Sequence, residues 1–298
     1  CFFAGGAGGP GPNGKKQVYD WEGYIAVVRR LQPEAVIFSD AGPDVRWVGN
    51  EAGYAGETNW SMLRRAEFYP GIPEYRPLTE GREDGTHWVP AECDVSIRPG
   101  WFYHADQDSG VKTITELVDI YYKSAGRNAV LLLNVPPDPR GLIHENDVAR
   151  LAELRAVLDE TFRMNLAAGK PAWAGAVGGP AEICRALTDG DPHSAWPAPK
   201  GMLPVSVTID FGSPTVFDRI LLQEDIRQGQ RVRGFHVEAW DGAAWNTIAT
   251  GTTIGYKRLL RFAAVESTRV RLTVDDARAA PVLAEFGVFR ASPRETGL

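Results

Sequence analysis

Three stretches of the chain gather side chains that could do chemistry. The first, SDAGPDVRWVGNEAG (39–53), places Glu51 in a glycine-rich loop with Arg46, Trp47 and Asn50 beside it. A carboxyl group among aromatic rings can be held protonated and serve as a general acid. A lone loop glutamate is ordinarily just solvated; the tryptophan and glycine around this one single it out. The second, ECDVSIRPGWFYH (92–104), sets Arg98, Trp101 and His104 after an apolar run. Polar donors interleaved with flat rings suit a sugar, whose C–H faces pack on aromatics while its hydroxyls need hydrogen bonds. From spacing alone an aromatic core corner fits equally well. The third, GRNAVLLLNVPPDPRG (126–141), puts Asn134 and Asp138 at the end of an apolar strand, where turn formation and barrel closure are the expected roles. The chain has no phosphate loop, HExxH or GxSxG, so nucleotide, zinc-protease and serine-hydrolase chemistry has no support.

The elements that must position these residues follow from periodicity. Residues 17–32, 111–125 and 144–165 carry apolar side chains at helical spacing. Residues 35–39, 91–97 and 129–135 are short apolar or alternating runs that read as strands, two of them buried on both faces as parallel strands are. Alternating strands and helices predict a parallel sheet or barrel, with long loops at the strand ends where a barrel keeps its chemistry. Only about half of a barrel's eight strands can be counted. After residue 166 the composition changes. Residues 167–181 read as a linker, and the seven runs 205–211, 219–224, 234–240, 245–250, 259–262, 268–274 and 283–289 read as strands of a β-sandwich.

The chain has 298 residues, 44% hydrophobic and 23% charged, which excludes a disordered polymer. Its net charge of −6 and the absence of a basic face argue against nucleic-acid binding. No apolar run is long enough to span a membrane. The three cysteines, Cys1, Cys93 and Cys184, are far apart and form no metal-ligand spacing, so the fold does not depend on disulfides. The Cys1 start predicts that any targeting signal lies upstream.

Taken together, GPNGKKQVYDW, SDAGPDVRWVGNEAG, WVPAECDVSIRPGWFYH and YYKSAGRNAVLLLNVPPDPRGL resemble the α-L-fucosidases of glycoside hydrolase family 29. The resemblance covers about residues 5–165, and the GNEAG form is similar to the subgroup acting on α-1,3/1,4-linked fucose. Residues 182–292 resemble a discoidin-like (coagulation factor 5/8 type C) or family 32 carbohydrate-binding module, through LTDGDPHSAW, VTIDFG, FDRILLQEDIRQGQRV, GFHVEAWDG and EFGVF. The implied fold class is α/β plus all-β. A partial (β/α)8 TIM-like barrel (1–166, the C-terminal half of the catalytic domain) is followed by a linker (167–181) and a galactose-binding-like β-sandwich, or jelly roll (182–292).

The resemblance implies a retaining exo-hydrolase of α-linked L-fucose that acts on fucosylated oligosaccharides or glycoconjugates and is secreted or periplasmic. No cofactor is implied for catalysis. Glu51 matches the acid/base, and Arg46, Trp47, Asn50, Arg98, Trp101 and His104 are the expected substrate-binding residues. Aligning on GPNG puts Gly5 where the family holds its Asp nucleophile. A glycine cannot form the covalent intermediate, so a catalytically inactive glycan-binding homologue is the alternative, and the chain alone is expected to have little or no fucosidase activity. The sandwich resemblance implies a structural Ca²⁺ held by Asp189, Asp191 and Glu285. Hard oxygen ligands fit that ion, and the alternative is turn-forming aspartates with no ion.

Overall fold

The computed structural model describes residues 2–3, 14–15, 19–40, 42–68, 76–176, 181–191 and 193–296. Gly5, the expected nucleophile position, lies outside the described residues.

The first part is a parallel sheet. Strands β1 (Phe2–Phe3), β2 (Ile37–Ser39) and β3 (Val45–Trp47) come first; α1 (Trp21–Leu31) lies between β1 and β2. The small antiparallel pair β4 (Met62–Leu63) and β5 (His87–Trp88) flanks a short helix α2 (Arg76–Glu80). Strand β6 (Ala91–Ser96), helix α3 (Ile114–Lys123), strand β7 (Ala129–Asn134) and helix α4 (Glu145–Phe162) follow. The five strands lie in the order β1-β2-β3-β6-β7, all pairs parallel. A consecutive order with helical crossovers is that of an arc of a barrel.

Local chemistry sets the helix ends. Asp20 caps α1 by accepting from the Gly23 N–H at 2.9 Å, so the helix starts at residue 21, short of the expected 17. Thr113 and Glu116 form a capping box that starts α3. Leu117, Val118, Leu154 and Val157 join α3 and α4 in one core behind β6 and β7. Helix α1 differs: it has the expected apolar stripe, but none of its residues is buried.

The second part is an antiparallel β-structure. Its strands are β8 (Ala172–Ala176), β9 (Ala181–Ile183), β10 (Trp196–Pro197), β11 (Val205–Glu224), β12 (Val232–Trp240), β13 (Trp245–Gly251), β14 (Arg258–Ala277) and β15 (Val282–Phe289). The main path is β10-β15-β11-β14-β12-β13, with β8 and β9 paired off β11. Two expectations are corrected. The runs 205–211 and 219–224 are one strand, β11, and 259–262 and 268–274 are one strand, β14. Register shifts at Asp210/Thr215 and Phe217/Arg219 let these long strands bend without ending. The expected linker also carries structure: β8 pairs with Val205–Ile209, with Ala172 and Ala174 buried in the core. Its alanines and glycine give no apolar signal in sequence, yet small side chains let a strand lie close against its neighbours.

The two parts share a buried polar seam. Gln230, 4% exposed, accepts from the Ser61 N–H (2.9 Å) and donates to the Asn59 carbonyl (2.8 Å), as a paired strand would. The Thr253 hydroxyl accepts from the Asn59 N–H at 2.9 Å, and Arg258 donates to the Glu57 carbonyl at 2.6 Å. The buried Glu224 carboxylate ties the two docking loops of the second part together, accepting from the N–H groups of Arg231, Val232 and Gly255. Replacing Gln230 by Ala would leave the buried Ser61 N–H without its partner and the Asn59 carbonyl with only the long 3.4 Å bond from Asn128. Chemical denaturation of Gln230→Ala should show a loss of about 2–4 kcal/mol; a loss below 1 kcal/mol would mean that water replaces the amide at this seam.

Candidate active site

The site is assembled at the C-terminal ends of β3, β6 and β7. On β3 the pleat sends neighbouring side chains to opposite faces. Arg46 points one way and is fully buried. Its Nε donates to the Leu78 carbonyl (2.8 Å), one Nη to Asn59 Oδ1 (2.7 Å) and the Trp60 carbonyl (2.9 Å), and the other Nη to the Val89 carbonyl. Burial pushes its pKa down to about 9. Arg46 was expected to touch substrate; the structure corrects this to a clamp, because every donor is turned into backbone and amide acceptors. Trp47 points the other way, and its indole Nε1–H donates to Asp94 Oδ1 on β6 at 2.7 Å.

The loop after β3 carries Glu51 and is shaped by its own residues. The Asn50 side chain accepts from the Ala52 N–H (3.0 Å) and donates to the Tyr54 carbonyl (3.0 Å), closing a tight turn under residue 51. Those bonds give Asn50 a role in shaping the loop. Gly53 has φ +76°, and a Cβ there would sit 2.8 Å from Val95 Cγ1. Glycine is thus required twice over, by backbone conformation and by contact with the core. The turn leaves Glu51 exposed, with Oε2 accepting from the Trp101 indole N–H at 2.9 Å. Glu51 is in no ion pair among the described residues.

Trp101 is held from below. Asn134, the last residue of β7, donates to the Trp101 carbonyl and to the Ser96 hydroxyl, both at 3.0 Å. Arg98 was also expected at the substrate; its side chain is instead fully buried. It pairs with Asp147 in the first turn of α4 (2.9 Å) and with Asp108 (2.9 Å), and its guanidinium lies 4.8 Å from the Tyr103 ring centroid. A buried guanidinium with two carboxylates fixes the 98–108 segment to α4 rather than binding a ligand. His104 is exposed and makes no capping bond at the start of the short 3-10 helix Ala105–Gly110. The structure therefore brings Glu51, Trp101, Trp47 and Asn134 together, and assigns Arg46 and Arg98 to the frame.

The sequence reading missed Asp94. It lies in the recognised segment, and its spacing two residues from Glu92 on an alternating strand was the available signal. Burial raises its pKa, the Trp47 bond opposes this, and the charge of Glu51 raises it further.

In the second part Asp189 and Asp191 share one turn, with the Asp191 N–H donating to Asp189 Oδ1 at 2.9 Å, but the carboxylates of the three expected metal ligands have different partners. Asp189 lies close enough to Glu285 to raise its pKa, which burial chiefly pushes up to about 7. The Asp191 carboxylate instead accepts from the His193 N–H (2.9 Å) and lies near Arg227. Among the described residues no three His, Cys, Asp or Glu side chains form a metal-ligand set.

Comparison with known proteins agrees with this division. An alpha-L-fucosidase family model matches residues 57–161, and a model of the NedA-like, galactose-binding domain matches residues 186–272. The chain is 39% identical over 292 residues to alpha-L-fucosidase 1 of Arabidopsis thaliana, covering 95% of the chain and 56% of that protein. It is 44% identical over 289 residues to a related protein of Oryza sativa subsp. japonica, covering 94% of the chain and 54% of that protein. The crystal structure of SpGH29 superposes with a TM-score of 0.88 at 38% identity, over 96% of this chain and 62% of that one. A Ruminococcus gnavus GH29 fucosidase in complex with fucose gives a TM-score of 0.82 at 28% identity, over 98% of this chain and 61% of that one. The chain thus spans a little over half the length of the curated relatives it matches.

The loop geometry sets a test. Gly53→Ala should destabilise the chain by about 1–3 kcal/mol, through left-handed strain and the clash with Val95. It should also displace Glu51, seen as a shift of the Trp101 indole N–H resonance; an unmoved resonance would show that the Glu51 loop does not depend on Gly53.

From its strand order, its two matched segments and its structural neighbours, the chain carries a segment of the alpha-L-fucosidase family model joined to a galactose-binding-like β-sandwich, and as a whole it is similar to the fucosidases of glycoside hydrolase family 29.

Proposed function

We propose that this chain carries the acid/base half of a retaining α-L-fucosidase site. The observation that carries the reading is the Trp101 indole bound to Glu51 at the strand tips, beside Trp47 and Asp94. The indole orients the carboxyl while leaving it exposed to an incoming sugar. In retaining cleavage one carboxylic acid protonates the leaving oxygen and then activates water, while a second carboxylate about 5–5.5 Å away attacks the anomeric carbon. Glu51 takes the first role. The substrates are fucosylated oligosaccharides or glycoconjugates with α-1,3/1,4-linked fucose, and the protein works outside the cytoplasm, secreted or periplasmic. Gly5 favours a second reading, a glycan-binding homologue without turnover, because glycine offers no carboxylate.

Isotope-labelled chain titrated with L-fucose should show saturable shifts of the Trp101 and Trp47 indole signals. Unmoved signals would overturn the site. Hydrolysis of an aryl α-L-fucoside to fucose and the free phenol by the chain should be little or none, and robust turnover would eliminate the second reading.

The β-sandwich offers a place for a structural Ca²⁺ at Asp189 and Glu285, two neighbouring carboxylates with no cationic partner among the described residues. The half-buried Glu285 fits such an ion: its folded-state pKa of about 7 lies above the usual value of 4.5. Its contribution to stability is therefore best below about pH 4.5 and is lost as pH rises toward 7, because the unfolded chain ionises first. A bound cation would cancel that loss. Thermal melts at pH 7.5 should rise with millimolar Ca²⁺ in the native chain and not in Glu285→Ala; equal responses in both would rule the site out.

A further inference from the structure

Strand β6 presents a row of acidic side chains whose roles differ by face. Cys93 and Val95 belong to the buried apolar clusters behind the sheet. Alternation then turns Glu92, Asp94 and Ser96 to the other face, the one on which Trp47 lies. Asp94 accepts from Trp47 at 2.7 Å and forms no ion pair with any lysine or arginine among the described residues. Glu92 is 8% exposed, and its Oε1 has no hydrogen-bond partner. This contrasts with Arg98 and Asp147 nearby, where a buried carboxylate serving structure is neutralised by a guanidinium. From the Glu51 loop a further negative charge acts on Asp94, while its register partner on β7 is the uncharged Leu132. This face is thus acidic, with no compensating cation among the described residues.

We propose that Asp94 is a positioning residue of the Glu51 site. It fixes the Trp47 indole beside the Glu51 loop and supplies a second negative charge that selects a sugar ring carrying positive charge over a neutral one. The inference rests on the fucosidase reading of that site and extends it. An oxocarbenium-like transition state carries such a charge, and an interaction that favours it over the neutral ground state is one that accelerates cleavage.

The test compares neutral L-fucose with a protonated six-membered iminosugar of the same configuration, following the Trp47 and Trp101 indole N–H signals. The cation should bind at least about tenfold more tightly. Asp94→Asn, which preserves the shape and one acceptor oxygen, should reduce that preference about tenfold while changing fucose affinity by less than about threefold. An unchanged preference in Asp94→Asn, or a loss of both ligands together, would overturn the proposal. Should neither ligand bind the native chain, the fucosidase reading of the site fails, and a pH titration decides the placement of Asp94. The Trp47 indole signal should then titrate with Asp94, and Glu51→Gln should lower its midpoint by about half a pH unit or more. No shift in that variant would show that the two carboxylates do not share a site.

Discussion

The arrangement depends on one buried cation. Arg46 sits without solvent in the middle of β3, and its guanidinium is satisfied by acceptors from three segments: the 59–60 loop, α2 and the approach to β6. A charge removed from water is tolerated only when each of its donors is met, so this clamp leaves its partners little freedom. Through Asn59 it reaches further. The same asparagine donates to the Arg127 carbonyl and takes bonds from Gln230 across the seam. The Glu51 loop, the start of β7 and the docking loops of the sandwich are therefore fixed to a common reference.

The site reuses one chemical vocabulary for two purposes. Arg98, fully buried, is paired with the buried Asp147 and the partly exposed Asp108, and the pairing holds the 98–108 segment onto α4. Glu51, Asp94 and Glu92 form an open set, with indole donors on two of them and no cation on any among the described residues. Neutralised carboxylates are strong struts and poor reagents; in the open set burial raises the pKa of Asp94 and Glu92, and the uncompensated charge responds to a positive ligand. The indoles reconcile the two needs, because an N–H orients a carboxylate without cancelling its charge.

The sandwich is more than an appendage. Its loops contribute Gln230, Thr253 and Arg258 to a polar seam that replaces solvent along residues 57–61. Directional bonds of this kind set orientation more strictly than an apolar patch of the same size. The buried Glu224, with its pKa raised to about 7 by burial and opposed by three backbone N–H donors, keeps the docking loops in step.

Much of this was legible in the sequence. Spacing of apolar residues located α3, α4, β6 and β7, because periodicity reports which face meets a core; the Thr113–Glu116 capping box then starts α3 three residues beyond the expected 111. The motif around Glu51 was recognisable through its resemblance to a segment of the family 29 fucosidases; the Asn50 turn and the contact that requires Gly53 are seen only in the structure. The tertiary structure decided what periodicity does not encode. Arg46 and Trp47 are neighbours of equal promise in sequence, and the pleat sends one into the frame and the other toward Asp94. Arg98 reads as a sugar-binding donor until Asp147, 49 positions away, closes on it. The supposed linker becomes β8 because β11 offers it an edge, and the Asp189 and Asp191 carboxylates are taken by N–H and hydroxyl donors of their own turn, from Asp191, His193 and Ser194. Except at that turn the deciding partner is distant along the chain, so residue type shows what a side chain is able to do and only packing shows which ability is used.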